Sequence, residues 1–219
     1  VSQEPRTIPV SARATAHLRA SDSTFAALID RVGSLEYRSD PNLWRALVGS
    51  IIGQQLSTRA AATIRGRVAS LGGDVFPGPE AILTIPDETL RSCGLSRAKL
   101  GYLRDLAVRW SAGEVKPEEL YELPDEEVVQ RLVLFRGVGR WTAEMVLIFS
   151  LERQDVLAVD DLGIRSAVQK AYGLPHRPDP ETLRRIAQPW RPYRSIASLF
   201  LWRGLTLQPP LARLHGSPA

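Results

Sequence analysis

Residues 134–143 read Leu134-Phe135-Arg136-Gly137-Val138-Gly139-Arg140-Trp141-Thr142-Ala143, and a Val159-Asp160-Asp161 turn follows before another run with helical spacing. Two glycines one residue apart allow a tight hairpin that brings main-chain N–H groups up to an anion, because glycine reaches φ > 0 and has no obstructing side chain. Such a loop can hold a phosphate. A carboxylate delivered beside a bound phosphate is poorly placed for affinity, since like charges repel, so it is expected to serve chemistry. The pairing points to chemistry on a nucleic acid.

Working outward, residues 126–170 read as helix, hairpin, helix, turn and helix, and apolar residues recur at helical spacing almost everywhere else. No stretch alternates convincingly as a strand, so the expected fold class is all-α. The spacing predicts helices over roughly 11–32, 41–52, 57–71, 96–113, 124–134, 139–152, 161–173, 179–190 and 193–205. Asp40-Pro41, Pro124-Asp125-Glu126 and Asp179-Pro180-Glu181 resemble helix openings, where proline and acidic groups suit the exposed N–H end. Gly72-Gly73, Gly113 and Gly173 look like stops. The stretch 72–79 reads as a loop inside one unit, and the ends, 1–9 and 208–219, as loosely held.

Composition narrows the class. At 219 residues with 44% hydrophobic content, the chain suits one compact unit or two intimate subdomains. No apolar run approaches membrane-spanning length and no basic-then-apolar leader opens the chain, so an intracellular soluble protein is expected. Cys93 alone cannot supply the thiolates of an iron–sulfur cluster or a cysteine-rich zinc site. His17, His176 and His215 show no metal-ligand spacing, and Gly137-Val138-Gly139 lacks the preceding strand and third glycine of a dinucleotide loop. Of 28 basic residues, Lys99, Lys116 and Lys170 are lysine and the other 25 are arginine, which grips phosphate bidentately. Codon bias accounts for that excess equally well, so charge supports a nucleic-acid partner only weakly.

Four ordered motifs carry a family resemblance. The hairpin with its downstream aspartates is similar to that of the helix-hairpin-helix superfamily of base-excision DNA glycosylases. Ser50-Ile51-Ile52-Gly53-Gln54-Gln55-Leu56-Ser57, Trp190-Arg191-Pro192-Tyr193-Arg194-Ser195 and Phe200-Leu201-Trp202-Arg203-Gly204 resemble the 3-methyladenine DNA glycosylase II branch, over about residues 40–207. The resemblance implies a single catalytic unit, 1–219, with two helical subdomains flanking a DNA-binding and active-site cleft. One is 40–174 with the hairpin; the other joins 1–39 to 175–219. It also implies the compact form, without the N-terminal β-rich domain that related alkylbase glycosylases can carry.

The implied activity is removal of alkylated, cationic purines such as 3-methyladenine from double-stranded DNA after base flipping. The hairpin would grip backbone through Gly137, Val138, Gly139, Arg140 and Thr142. Carbonyls of Val133, Phe135 and Val138 would share a Na or K ion with a phosphate, and no other cofactor is implied. A monomer acting in the cytoplasm, on the bacterial nucleoid, or in a nucleus is expected.

Within that resemblance Asp161-Leu162-Gly163-Ile164 aligns on an Asp-x-x-Ile pattern, making Asp161 the catalytic candidate. Val159-Asp160 matches an endonuclease III-like start and keeps Asp160 as the alternative; with Asp161 catalytic, Asp160 is expected to cap the following helix. Either carboxylate, ionised, can stabilise an oxocarbenium-like sugar or activate water. Trp141 stands where bifunctional relatives place a Schiff-base lysine. Indole has no nucleophilic amine, so water becomes the expected nucleophile and the strand stays intact. Trp141 and Trp202, with Met145 one turn after Trp141, are expected to line the base pocket, where an electron-rich face favours a cationic ring. Trp44, Trp110 and Trp190 read as core. Gln55, beside Gln54, falls where this branch inserts a side chain into the vacated stack, a place where its nearest relatives use leucine; the alternative is that Gln54 and Gln55 merely cap helices. Two further functions fit less of the pattern: a non-catalytic damage-binding module, and a glycosylase for oxidised or mismatched bases.

Overall fold

A computed structural model of the chain describes residues 4–73, 75–211 and 214. Its elements run β1 (Arg6–Pro9), α1 (Ala12–Ser21), α2 (Ser23–Val32), β2 (Glu36–Ser39), α3 (Leu43–Gly53), α4 (Thr58–Ser70), α5 (Pro79–Thr84), α6 (Asp87–Ser92) and α7 (Arg97–Ser111). They continue through α8 (Pro117–Leu120), α9 (Asp125–Leu132), α10 (Arg140–Phe149), α11 (Leu162–Tyr172), α12 (Pro180–Ile186), a 3-10 turn at Gln188–Trp190 and α13 (Arg194–Gly204). Helices dominate, as the periodicity predicts. No helix among the described residues is long and apolar enough to cross a membrane.

The chain divides into two compact units, one of residues 40–151 with Glu4 and one of 5–39 with 152 onward. The boundary after Leu151 differs from the expected one after residue 174. The reason is α11, whose Ile164, Ala167, Val168 and Ala171 are buried and which packs on α13 and α2.

In the first unit, α3 presents Leu43, Trp44, Leu47, Val48, Ile51 and Ile52 to the core, pairs repeating every four residues that make one broad apolar face. It packs on α4, α7 and α10, and α10 on α9. Asn42 opens α3 by accepting the Arg45 N–H at 2.9 Å. Trp44 is buried edge-to-face against half-buried Trp110 and donates its N–H to Pro77 O at 2.8 Å. The short helices α5, α6 and α8 fall in stretches too brief for periodicity to reveal.

The second unit corrects three expectations. The predicted helix 11–32 is two helices, because Asp22 is extended and caps α2 by accepting from Thr24 N and Phe25 N. Its other oxygen accepts the Tyr172 hydroxyl and, at 3.2 Å, the Trp190 indole N–H. A small antiparallel sheet joins the helices, pairing Arg6 with Ser39 and Pro9 with Glu36, so residues 6–9 are held where a loose end was expected. Leu211 is buried and the Leu214 N–H donates to Ala171 O, so these two positions are held where a loose end was expected; residues 212, 213 and 215–219 lie outside the described residues. Phe25, Leu28, Trp190, Phe200 and Leu201 fill this unit's core, with Phe25 and Trp190 edge-to-face at 4.8 Å. His17 is half-buried against Tyr193, His176 is exposed, and His215 lies outside the described residues.

Candidate active site and nucleic-acid interface

In the first unit, α9 ends at Leu132 and the chain turns through two main-chain bonds, Phe135 N–H to Leu132 O and Val138 N–H to Phe135 O. Gly137 takes φ +81, and a Cβ there would sit 2.3 Å from the Tyr102 ring, so conformation and space both demand glycine. Gly139, the N-cap of α10, differs: its φ is −94 and a Cβ would meet nothing within 4 Å. Nothing in the folded chain requires glycine at 139, and no side chain caps the helix there. An uncapped helix start with a bare surface above it suits an approaching anion.

The predicted hairpin residues then separate by what they can offer. Val138 and Thr142 bury their side chains, leaving main-chain groups as their means of contact. Arg140 spends its guanidinium on Glu126, at 2.9 and 2.6 Å, and on buried Glu144 at 3.2 Å. These carboxylates raise its pKa further, and Arg140 in turn holds the Glu126 carboxyl below its ordinary range. Of the carbonyls, Leu134 O accepts from Arg109 and Gly137 O from Gln54. Phe135 O accepts the Val138 N–H and retains a second lone pair.

Trp141 on the first turn of α10 is 44% exposed, a high value for so large an apolar side chain, and half-buried Met145 lies one turn on along the same helix. Between α3 and α4, Gln54 donates its amide N–H to Gly137 O at 2.6 Å, which ties this turn to the hairpin. Gln55 is exposed with φ +57, a left-handed conformation uncommon for a residue other than glycine, and exposed Leu56 follows it. Gln54 is the C-cap residue of α3, while Ser57 caps α4 by accepting the Ala60 N–H.

In the second unit, α11 begins at Leu162, so the residue whose side chain can reach the third N–H of the helix is Asp161. Its Oδ1 accepts from Ile164 N at 2.6 Å and from the Trp202 indole N–H at 2.9 Å. Asp160 is exposed and does not cap the helix, contrary to the sequence expectation. Asp161 is 9% exposed. Gly163 completes the cluster: a Cβ there would lie 3.0 Å from Asp161 Oδ1 and 3.0 Å from Trp202 Cδ1. Gly163 has no specified part in the Asp-x-x-Ile motif, yet a glycine two residues into a helix, where propensity disfavours it, signals close packing.

An uncapped glycine hairpin and an aspartate held by a tryptophan are joined by sequence similarity over the region that contains them. Residues 48–192 match the HhH-GPD superfamily of base excision DNA repair proteins. The chain belongs to this superfamily. Among HhH-GPD relatives, DNA-3-methyladenine glycosylase 1 of Schizosaccharomyces pombe is 34% identical over 198 residues, spanning 87% of this chain and 86% of its own. A solved structure of the S. pombe 3-methyladenine DNA glycosylase in complex with abasic DNA superimposes with a TM-score of 0.82 at 33% identity, covering 90% of this chain and 98% of that one. A DNA-3-methyladenine glycosidase from Bacillus halodurans gives 0.80 at 33% identity, covering 92% and 93%. The HhH-GPD hairpin and the Asp161 turn both fall inside the matched span; Trp202 lies ten residues beyond it.

Proposed function

We propose that this protein is a monofunctional DNA glycosylase that hydrolyses the N-glycosidic bond of alkylated, cationic purines such as 3-methyladenine in duplex DNA. The observation that carries the reading is the Asp161–Trp202 pair at the start of α11 in a chain similar along most of its length to glycosylases named for that base. The C1′–N bond breaks with its electron pair leaving on the cationic purine, which becomes neutral. Positive charge collects on the sugar, where the Asp161 carboxylate opposes it, and water adds to C1′ while its proton passes to Asp161. Trp141 and Trp202, with Met145, stack on the flipped base, and cation–π attraction of about 1–2 kcal/mol favours an alkylated ring over a normal one. With tryptophan at 141 there is no amine for a Schiff base, so the strand remains whole.

The hairpin amides from Gly137 to Thr142 hold the backbone, and Gln55 fills the gap left by the flipped base. Carbonyls of Val133, Phe135 and Val138 would hold a Na or K ion whose charge offsets a phosphate; the commitment of Leu134 O and Gly137 O to Arg109 and Gln54 is compatible with that division. The protein acts where DNA is kept, in the cytoplasm or a nucleus.

The test is incubation with duplexes each bearing one modified base, assayed for abasic sites with and without alkali. Base release with strand cleavage only after alkali is expected. Cleavage without alkali contradicts the monofunctional assignment, and binding without release on every alkylated duplex favours a damage-binding module.

A further inference from the structure

Four side chains on α7, Lys99, Tyr102, Asp105 and Arg109, lie within an arc of about 120° on the helix surface. Each meets one of the two segments assigned to DNA. Lys99 Nζ donates to Ile52 O at 2.8 Å and Gln54 O at 2.6 Å, closing the end of α3 immediately before Gln55. The Tyr102 ring lies against Gly137. Asp105 Oδ2 accepts the Arg136 N–H at 3.1 Å. Arg109 donates to Leu134 O at 2.5 Å and lies over the Phe135 ring at 5.2 Å.

These contacts take successive main-chain groups of the hairpin and turn them toward α7, and Gln54 closes the circuit by binding Gly137 O at 2.6 Å. The three lysines of this chain are few against its arginines, and Lys99 suits this position. An ammonium is a compact head with three donors, able to serve two carbonyls at one helix end, where the carbonyl dipoles favour a cation. Burial lowers the Lys99 pKa, as expected for a group taken from solvent to do this.

We propose that the Lys99–Tyr102–Asp105–Arg109 stripe of α7 is a positioning element that holds the Gln55 turn and the hairpin in fixed register, so that backbone grip and base displacement occur together. The inference rests on the glycosylase reading above. None of the four touches the reacting atoms; each acts through the loop it holds.

The experiment compares wild type with Lys99→Met, Lys99→Arg and Arg109→Met in three readouts: thermal melting, affinity for an abasic-site duplex, and fluorescence of 2-aminopurine placed beside the lesion. Losing charge-assisted hydrogen bonds at either end should weaken abasic-duplex binding by about tenfold. The 2-aminopurine signal should fall with melting little changed, and the two Met substitutions combined should do hardly more than either alone. Lys99→Arg, which keeps the charge and donors but not the compact head, should restore only part of the response. Folded Met variants that bind and unstack DNA like wild type overturn the proposal, as does a combined loss that is simply additive. If Lys99→Met does not fold, Arg109→Met decides alone through the same binding and fluorescence readouts. Failure of wild type to release any alkylated base overturns the glycosylase reading, while the abasic-duplex comparison still decides the role of the stripe.

Discussion

Trp202 and the Ile164 main chain donate to the same oxygen of Asp161, Oδ1, from 2.9 and 2.6 Å. One bond ties the carboxylate to the start of α11 and the other to α13, so its plane is set by two elements at once. Asparagine keeps an oxygen that can accept both bonds but loses the negative charge. Asp161→Asn should therefore fold, melt within a few degrees of wild type and bind lesion DNA, while releasing base at least ~100-fold more slowly in single turnovers. Release at the wild-type rate would remove Asp161 from the chemistry. Asp160→Asn, at an exposed position, should change the rate less than about twofold.

Trp202→Phe keeps an aromatic face and deletes the donor. With α11 still capped through Ile164, stability should change by about 1 kcal/mol at most. The rate should fall about tenfold because one of the two restraints on the carboxylate is gone. Stopped-base assays at saturating enzyme separate this from weaker binding; an unchanged rate would show that Trp202 does not orient Asp161.

Gly163→Ala sets helix propensity against packing. Alanine favours the helix by up to about 1 kcal/mol. Its methyl, however, would lie 3.0 Å from both Asp161 Oδ1 and Trp202 Cδ1, so one of them must shift. The expected outcome is a melting temperature close to wild type with a several-fold slower base release. Full activity would show that the cluster tolerates the displacement.

The two hairpin glycines should part company. Gly137→Ala meets the Tyr102 ring at φ +81 and should lose about 3 kcal/mol of stability in urea titration. Tyr102→Ala in the same chain should recover only the steric share, leaving the backbone strain. Gly139→Ala meets open space and should stay within about 0.5 kcal/mol of wild type, yet weaken duplex binding several-fold because its methyl stands where a phosphate would approach. A Gly139→Ala protein that binds duplex normally would argue against that approach.

Arg140 lowers the Glu126 carboxyl pKa chiefly by hydrogen bonding, with Coulomb attraction adding to it. A carboxylate depressed in the folded state contributes stability above its ordinary value of 4.5, and that contribution disappears as pH falls through the depressed folded value. Both side chains are more than half exposed, so the effect is small and salt-sensitive. Glu126→Gln should melt slightly below wild type at pH 7 in low salt, and the gap should close in acid as pH falls through the depressed folded value. A gap that persists in acid would place the cause elsewhere than in this ion pair.

Features that depend on a few neighbouring residues were legible in the chain alone. The hairpin, the turn before α11 and most long helices follow from glycine conformation, apolar spacing and capping chemistry, all acting within about four positions. The same locality explains the misses. Apolar spacing runs straight through Asp22, hiding the break that its cap makes between α1 and α2. Strands β1 and β2 have four residues each and pair across an intervening helical hairpin, which no local pattern announces. Assigning the cap to Asp160 failed by one residue, because capping depends on where the helix starts and spacing does not locate that to a single position.

Apolar spacing and the hairpin with its downstream aspartate indicated a helical protein suited to chemistry on nucleic acid, and the family resemblance alone implied that no lyase lysine stands at Trp141. They could not say which groups hold that aspartate or the loops. Trp202 reaches Asp161 across 41 positions and Gln54 reaches Gly137 across 83. Burial of the apolar faces of α3, α7, α11 and α13 brings them together, and the resulting hydrogen bonds select among polar residues that look interchangeable in the chain. That is why the role of Lys99 emerges only from the folded molecule: its meaning lies in neighbours that packing supplies.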